Sequence, residues 1–375
     1  MPLRSSLRQL LAPTLKRAPP IWELVKSVDR LIERTRHSVA HVVPAVVRPQ
    51  PRQLHIAITA HCNQRCVGCR YGRDFMPGSQ LAWPMVQRLL DDAAEAGFWQ
   101  IRLYGGEPLL HPDLEKMVAH TVALGMQPYV TTNAVLLQHR IDGLYQAGLR
   151  HLNVGFYGVG ATYDEYVQRH RSFERVEAGI AAVRDRYGMD VTMRINWLLM
   201  RPSCNLEDLD QACRFAERYR LRIQVDLVHY SLPYFSEGPE RELQFCPEDR
   251  SAVEVVTADL LRRQREQPNL FFHSPVALRS IPDWVIKGPA MQVPCDASQM
   301  IWVGADGSVQ LCYVTFPLGN LHQNRFRDLV YTATHRTAVQ DAFALKCPNC
   351  HCGYDTRVEK DARSARHYRK LLNQG

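Results

Sequence analysis

Leu54-His55-Ile56-Ala57-Ile58-Thr59-Ala60-His61-Cys62-Asn63-Gln64-Arg65-Cys66-Val67-Gly68-Cys69 joins an apolar run directly to three closely spaced cysteines. His55–Thr59 has the composition of a buried strand, and the cysteines fall in the loop that follows it. Outward from here strands and helices alternate. Helical periodicity over Met85–Ala96 and Asp113–Leu124 ends at Gly97 and Gly125, and Gln100–Tyr104 reads as the second strand. Tyr129–Thr132, His151–Phe156, Val191–Leu199 and Ile223–Val228 continue the strands, with helices near Leu136–Ala147, Phe173–Tyr187 and Leu206–Tyr219 between them. Six such repeats imply parallel strands with right-handed crossovers, hence an α/β fold of partial (β/α)6, TIM-like barrel type. Its chemistry belongs on the loops after the strands' carboxyl ends.

The alternation stops after Tyr230. Pro247–Gln264 reads as a helix, Asn269–Pro294 as irregular, and Gln299–Val303 with Val309–Val314 as a hairpin turning at Ala305-Asp306-Gly307. A helix near Phe326–Leu345 precedes a last group of cysteines. The expected domains are a helical arm and linker over 1–50, the barrel over 51–230 and a connecting segment over 231–290. A small cysteine-rich hairpin/helix domain over 291–353 and a charged tail over 354–375 complete the chain. The arm repeats apolar residues at helical spacing (Leu7, Leu10, Leu11, then Ile21, Leu24, Val25, Val28, Leu31, Ile32) and is expected to pack on the main domain.

The bulk numbers exclude several classes. The formal charge of +8 comes from scattered Arg, without a polybasic run or basic–aromatic stacking segments, so no nucleic-acid partner is expected. No stretch is long enough to span a bilayer, and Arg8 and Pro13 interrupt any signal-like core, so a cytoplasmic location is expected. Eleven cysteines, an odd number, argue against a secreted disulfide framework and leave thiols free to bind metal.

Cys62, Cys66 and Cys69 have C-x3-C-x2-C spacing. Three thiolates can hold three corners of a cubane iron–sulfur cluster, leaving one iron open to a small molecule. A structural zinc site, with or without His61, is the competing use of the same residues. The second strand ends in Tyr104-Gly105-Gly106-Glu107-Pro108, where glycines allow close backbone approach.

Together, the three cysteines followed by Gly105-Gly106-Glu107-Pro108 resemble the signature of the radical S-adenosylmethionine (SAM) superfamily. The resemblance covers residues 54–230 as the catalytic barrel and extends to about 353 on the family pattern. It implies a [4Fe–4S] cluster on Cys62, Cys66 and Cys69 whose open iron binds SAM. Reductive cleavage of SAM to a 5′-deoxyadenosyl radical and hydrogen-atom abstraction from substrate would follow. It further implies SAM contacts at Gly105, Gly106, Glu107, Pro108, Thr132, Asn133, Asn153, Arg194 and Asn196, with Gly155 nearby. Arg194 has a fork suited to a carboxylate. The chain departs from the family at Gly68, where an aromatic residue is usual before the third cysteine; Tyr71 is the alternative source of a ring.

Cys295, Gly307, Cys312 and Cys347-Pro348-Asn349-Cys350-His351-Cys352 form a second set, able to enclose one cluster or one zinc. With Leu318-Gly319-Asn320-Leu321 they resemble the twitch domain, a shortened SPASM extension. This implies an auxiliary [4Fe–4S] cluster on Cys295, Cys312, Cys347 and Cys350, with Cys352 as an alternative to Cys350. Cys246, just before Pro247, is a candidate hydrogen donor for an epimerase, although packing is the commoner role of such a cysteine. The resemblance points first to oxidative modification of a peptide or protein side chain, served by an external low-potential donor such as flavodoxin or ferredoxin. Dehydrogenation or epimerisation of a sugar, aminocyclitol or other small metabolite is the second reading. A zinc-binding nucleic-acid or interaction protein is the reading from another class.

Overall fold

The computed structural model describes residues 19–50, 52–230 and 238–374. Leu7, Leu10 and Leu11 of the expected arm lie outside them. Six parallel strands, β1 (Gln53–Thr59), β2 (Gln100–Gly105), β3 (Gln127–Thr132), β4 (His151–Phe156), β5 (Thr192–Leu199) and β6 (Arg222–Leu227), follow one another across the sheet. Helices α2 (Trp83–Glu95), α3 (Leu114–Ala123), α4 (Leu137–Gln146), α6 (Ser172–Tyr187) and α7 (Leu206–Arg218) make the crossovers, after α1 (Pro19–Ala40) and with a short α5 (Ala161–Val167) following β4. This is the expected partial barrel. Alternation along the strands separates its two faces. Ile101, Leu103, Ile195, Trp197, Ile223 and Val225 are fully buried under the helices. Arg102, Tyr104, Arg194, Gln224 and Asp226 take the other positions and keep part of their surface accessible.

The carboxy-terminal third extends the same sheet. β7 (Met300–Val303) lies parallel to β1, pairing Gln53 with Met300 and Ile56 with Val303. β8 (Ser308–Gln310) and β9 (Pro317–Asn320) add antiparallel, giving the order β6-β5-β4-β3-β2-β1-β7-β8-β9. β1, and the cysteine loop it feeds, therefore sits inside the sheet rather than at an edge.

Several segments differ from their expected form. After α8 (Arg250–Glu266), Asn269–Pro294, expected to be irregular, contains α9 (Pro275–Arg279) and α10 (Ile281–Lys287), because Pro275 and Pro282 occupy first-turn positions where a missing N–H costs nothing. The hairpin's second strand ends at Gln310, and Phe326–Leu345 is two helices, α11 (Phe326–Leu329) and α12 (Ala333–Phe343), separated at Tyr331 with its φ of 60°. The charged tail folds as α13 (Tyr354–Lys360) and α14 (Ala362–Leu372); Tyr354, Val358, Ala365 and Tyr368 form its buried stripe. On α1 the expected packing is partial. His37 is buried against Phe343 while Leu24, Leu31 and Val28 stay exposed.

The carboxy-terminal helices are tied to the barrel by an ion pair between a buried carboxylate and a largely exposed guanidinium. Asp92 on α2, 1% exposed, accepts from Arg325 Nε at 3.0 Å and Nη2 at 2.5 Å. Tyr331 adds a hydrogen bond to the Ala96 carbonyl at 2.7 Å. Among the described residues, no helix is long and apolar enough to cross a membrane.

Candidate metal and cofactor site

The loop after β1 is fixed from three sides. Cys69 N–H bonds the Cys66 carbonyl at 3.1 Å around Gly68, whose φ is 80°. Arg73 Nε donates to the Cys69 carbonyl at 3.1 Å and its Nη2 to the Cys66 carbonyl at 3.3 Å. From the far side the carboxyl end of α5 accepts Arg65 N–H at Val167 (3.1 Å) and Val67 N–H at Tyr166 (2.8 Å).

The glycines of the β2 end have a clear steric cause. A Cβ on Gly105 would lie 2.2 Å from the Thr59 carbonyl oxygen, and one on Gly106 would lie 2.3 Å from that of His61. Their backbones instead bond this loop: Gly106 N–H to Thr59 O at 2.7 Å and Glu107 N–H to His61 O at 2.8 Å. Pro108 opens the single turn Pro108–Leu110.

Glu107 is fully buried and gathers the neighbouring strand ends. Its Oε1 accepts from Leu109 N–H (2.9 Å) and the Thr132 hydroxyl (2.6 Å), and its Oε2 from Asn133 N–H (2.7 Å). Burial pushes its carboxyl up to about 7, opposed by these three donors. Asn133 Nδ2 in turn donates to Asn63 Oδ1 at 2.7 Å and stands 3.9 Å from the Cys62 sulfur. Gly105, Gly106, Glu107, Pro108, Thr132 and Asn133 are thus brought together against the cysteine loop.

Asn153, Arg194 and Asn196 lie further along the sheet, on the concave side of β4 and β5. Arg194 is the third residue of the eight in β5, with its Nε on Asn153 Oδ1 at 2.7 Å and its guanidinium 4.6 Å from the Phe272 ring centroid. Gly155 leaves room for Tyr157, whose hydroxyl would be 2.7 Å from a Cβ there. Tyr71 packs with Ala57, Ala60, Met76, Trp302 and Ala305, and its hydroxyl accepts Ala305 N–H at 3.3 Å. The cysteine loop faces rings from another source, Tyr157, Tyr163 and Tyr166, with Gln64 Nε2 on the Tyr163 hydroxyl at 3.4 Å.

The thiols suit a cluster. Burial, and then the neighbouring cysteines, hold the Cys66 thiol well above its ordinary range, so a cationic centre is what would stabilise thiolates here. A single tetrahedral zinc would draw its sulfurs to about 3.8 Å from one another. Among the described residues the ligand sets converging within 4.8 Å are His229–Cys350–Cys352 and His37–His41–Asp361, neither of them the loop triple. The wider loop spacing suits the corners of a multinuclear cluster.

Cys295, Cys312, Cys347 and Cys350 are likewise gathered and interact electrostatically with one another; burial pushes Cys295 up to about 12 and Cys312 to about 11. Arg357 on α13, 1% exposed, orders this region by donating to the carbonyls of Pro294 (3.2 Å), Val293 and Cys350 and to Asn349 Oδ1 (3.2 Å). Cys352 lies beside Cys350, and its sulfur also meets His229 Nε2 at 2.8 Å and the Tyr313 hydroxyl. Cys246 lies apart, in a capping turn with its sulfur 3.1 Å from Asp249 Oδ2, and Cys204 and Cys213 belong to the core.

Sequence reading missed Asn63, the three tyrosines, Arg102, Asp226, His229 and Tyr313. The signal for Arg102 and Asp226 was present: charged residues at alternate positions of otherwise apolar strands.

Residues 56–216 match the family model described as the Radical SAM superfamily. The chain is 35% identical over 178 residues to GTP 3′,8-cyclase of Mycolicibacterium smegmatis (strain ATCC 700084 / mc(2)155), covering 45% of this chain and 48% of that one. It is 37% identical over 171 residues to GTP 3′,8-cyclase of Rhodococcus opacus (strain B4), covering 44% and 48%. It thus spans about half the length of these curated relatives. In fold it is similar to native anSMEcpe with bound AdoMet and Cp18Cys peptide, with TM-score 0.61 and 15% identity over 78% of this chain and 84% of that one. It is also similar to Streptococcus suis SuiB bound to precursor peptide SuiA, with TM-score 0.61 and 17% identity over 82% and 70%.

Proposed function

Because this chain is a radical SAM superfamily enzyme, we propose that it oxidises a carbon centre of a peptide or protein side chain held against the concave face of its sheet. Cys62, Cys66 and Cys69 hold the SAM-binding [4Fe–4S] cluster, and Cys295, Cys312, Cys347 and Cys350 an auxiliary one. When bound, the first cluster and SAM supply the low-potential electron and the hydrogen-abstracting species.

The observation that carries this reading is that one apolar cluster links the two cysteine sets. Cys69, Tyr104 and Tyr313 all pack on Ala57, Ala60, Tyr71, Met76, Trp302 and Ala305, and Tyr313 reaches Cys352 two residues beyond Cys350. A substrate lying between the sets has an electron acceptor on its far side, which suits net oxidation. Glu107 and Asn133 hold the loop and the β3 end in one arrangement, and Arg73 pins the loop carbonyls. An external low-potential protein such as flavodoxin or ferredoxin would deliver the electron. The fold likeness to anSMEcpe and SuiB, described with bound peptides, supports a peptide substrate.

A small anionic metabolite is the second reading, favoured by the guanidinium groups of Arg102 and Arg194 on the concave face and by the likeness of the barrel to GTP 3′,8-cyclases. Anaerobic incubation of reduced protein and SAM with a peptide library and with nucleotides separates the two. A peptide losing two hydrogen masses, in step with 5′-deoxyadenosine, is the expected outcome; turnover confined to nucleotides would overturn the peptide reading.

A further inference from the structure

The concave face gathers two guanidinium groups around a single carboxylate, without a direct ion pair between them among the described residues. Arg102 and Arg194 stand at inward positions of β2 and β5, and Asp226 at an inward position of β6. Each guanidinium spends its Nε on a neutral neighbour: Arg102 on Thr131 Oγ1 at 2.9 Å, Arg194 on Asn153 Oδ1 at 2.7 Å. Among the described residues neither has a hydrogen-bond partner for its terminal nitrogens, and neither forms an ion pair. Asp226 bonds Gln224 Nε2 at 2.7 Å and acts on both guanidiniums only electrostatically, from beyond ion-pair distance. Aromatic rings cover the guanidinium faces, Tyr104 at 4.3 Å from Arg102 and Phe272 at 4.6 Å from Arg194, leaving the planar edges for hydrogen bonding.

A second observation points the same way. Asn196 shares the inward face of β5 with Arg194, is 9% exposed, and its Oδ1 has no partner among the described residues. The same holds for Nδ1 of His55, 8% exposed, at the inward position of β1 in register with Arg102. Buried polar atoms without partners are uncommon in folded proteins, and their presence on the inward face of the sheet points to a ligand there. Two forks with one carboxylate nearby select an anion, and the planar fork geometry selects an oxyanion.

We propose that the substrate presents a carboxylate or phosphate to Arg102 and Arg194 on the concave face, with Asn196 accepting from a donor on the same molecule. This rests on the reading that substrate occupies that face. It assigns Arg194 to substrate rather than to SAM, and it holds whether the oxyanion comes from an acidic side chain of a peptide or from a phosphorylated metabolite.

The test uses the reconstituted, SAM-saturated full chain and two probes, pyrophosphate and glutarate, with binding followed by calorimetry. At least one probe binds, and Arg102→Gln and Arg194→Gln each weaken it roughly tenfold or more. The preferred probe identifies the source, glutarate for a carboxylate and pyrophosphate for a phosphate. Arg102→Lys and Arg194→Lys keep the charge without the fork and retain intermediate affinity; they also serve if a Gln variant fails to fold. Equal binding to wild type and variants, or no binding of either probe, overturns the proposal. So does a loss of SAM affinity in Arg194→Gln with probe binding unchanged. Formation of 5′-deoxyadenosine by the same wild-type preparation reports separately on the radical SAM reading.

Discussion

Gly106→Ala isolates the contact that seats the cysteine loop. Gly106 has no positive φ, so the cost of a side chain there is purely steric. The new Cβ would stand 2.3 Å from the His61 carbonyl oxygen and 2.7 Å from that of Ala60, both backbone atoms that cannot swing aside. Opening the first contact to 3.0 Å, the nearest approach real Cβ atoms make, needs a displacement of about 0.7 Å. It falls on the residue before Cys62, and it strains the Glu107 N–H to His61 O bond of 2.8 Å. Overpacking of this kind costs about 1–3 kcal/mol and a weakened hydrogen bond about 1 more, so roughly 3 kcal/mol is expected. For a chain of this length that lowers Tm by about 4 °C. The larger effect is on the metal. After anaerobic reconstitution, iron at the first-strand loop should fall sharply while the carboxy-terminal site keeps its own, as followed by iron analysis and Mössbauer spectroscopy. Gly143→Ala on α4 is the control: its Cβ would meet only the Glu115 side chain, at 3.4 Å, and helix propensity favours Ala. A Gly106→Ala protein with full iron and unchanged SAM affinity would refute the steric reasoning.

Glu107→Gln replaces one acceptor oxygen with a donor facing either Asn133 N–H or the Leu109 and Thr132 donors. A loss of about 2–3 kcal/mol in chemical denaturation is expected, together with weakened SAM binding, whereas a neutral outcome would mean these bonds do not organise the site. Asp92→Asn removes the buried charge opposite Arg325. Because Arg325 can turn partly to solvent, about 2 kcal/mol of destabilisation is expected, less than for a fully enclosed pair, and a double variant with Arg325→Gln should be no worse than the single one. His335, 3% exposed and held to about 4 by burial, accepts Tyr331 N–H at Nδ1, 3.1 Å away. As pH falls from its ordinary value of 6.5 toward 4 the unfolded chain takes up the proton first, so up to about 3 kcal/mol of stability is lost across that window. Urea denaturation at intervals from pH 7 to 4 should show His335→Asn with a shallower decline than wild type.

Much of the barrel was legible because short strands rich in β-branched and aromatic residues alternate with helices, two of them closed by Gly97 and Gly125. Cys62, Cys66 and Cys69 announce themselves by spacing. The carboxy-terminal third was harder, since proline was read as a breaker although Pro275 and Pro282 start helices. The buried stripe of Tyr354, Val358, Ala365 and Tyr368 was hidden by the charged residues around it. β7 joining β1 is a long-range pairing with no local signature. Arg357 looked like one cation among many, and only tertiary structure reveals it as the residue that gathers the carbonyls of the second cysteine region. Arg194 was assigned by its side-chain chemistry to the carboxylate of SAM, and its neighbours Asn153 and Phe272 are visible only in the fold.

The most direct test of the central claim is pulsed electron–nuclear spectroscopy of the reduced protein with SAM carrying 15N in its amino group. Coupling of that nitrogen to a [4Fe–4S] spin, abolished by replacing Cys62, Cys66 and Cys69 together with Ala but retained when Cys295 and Cys312 are replaced, is the predicted result. A reduced cluster at the first-strand loop that shows no coupling to the labelled nitrogen, at saturating SAM, would contradict it.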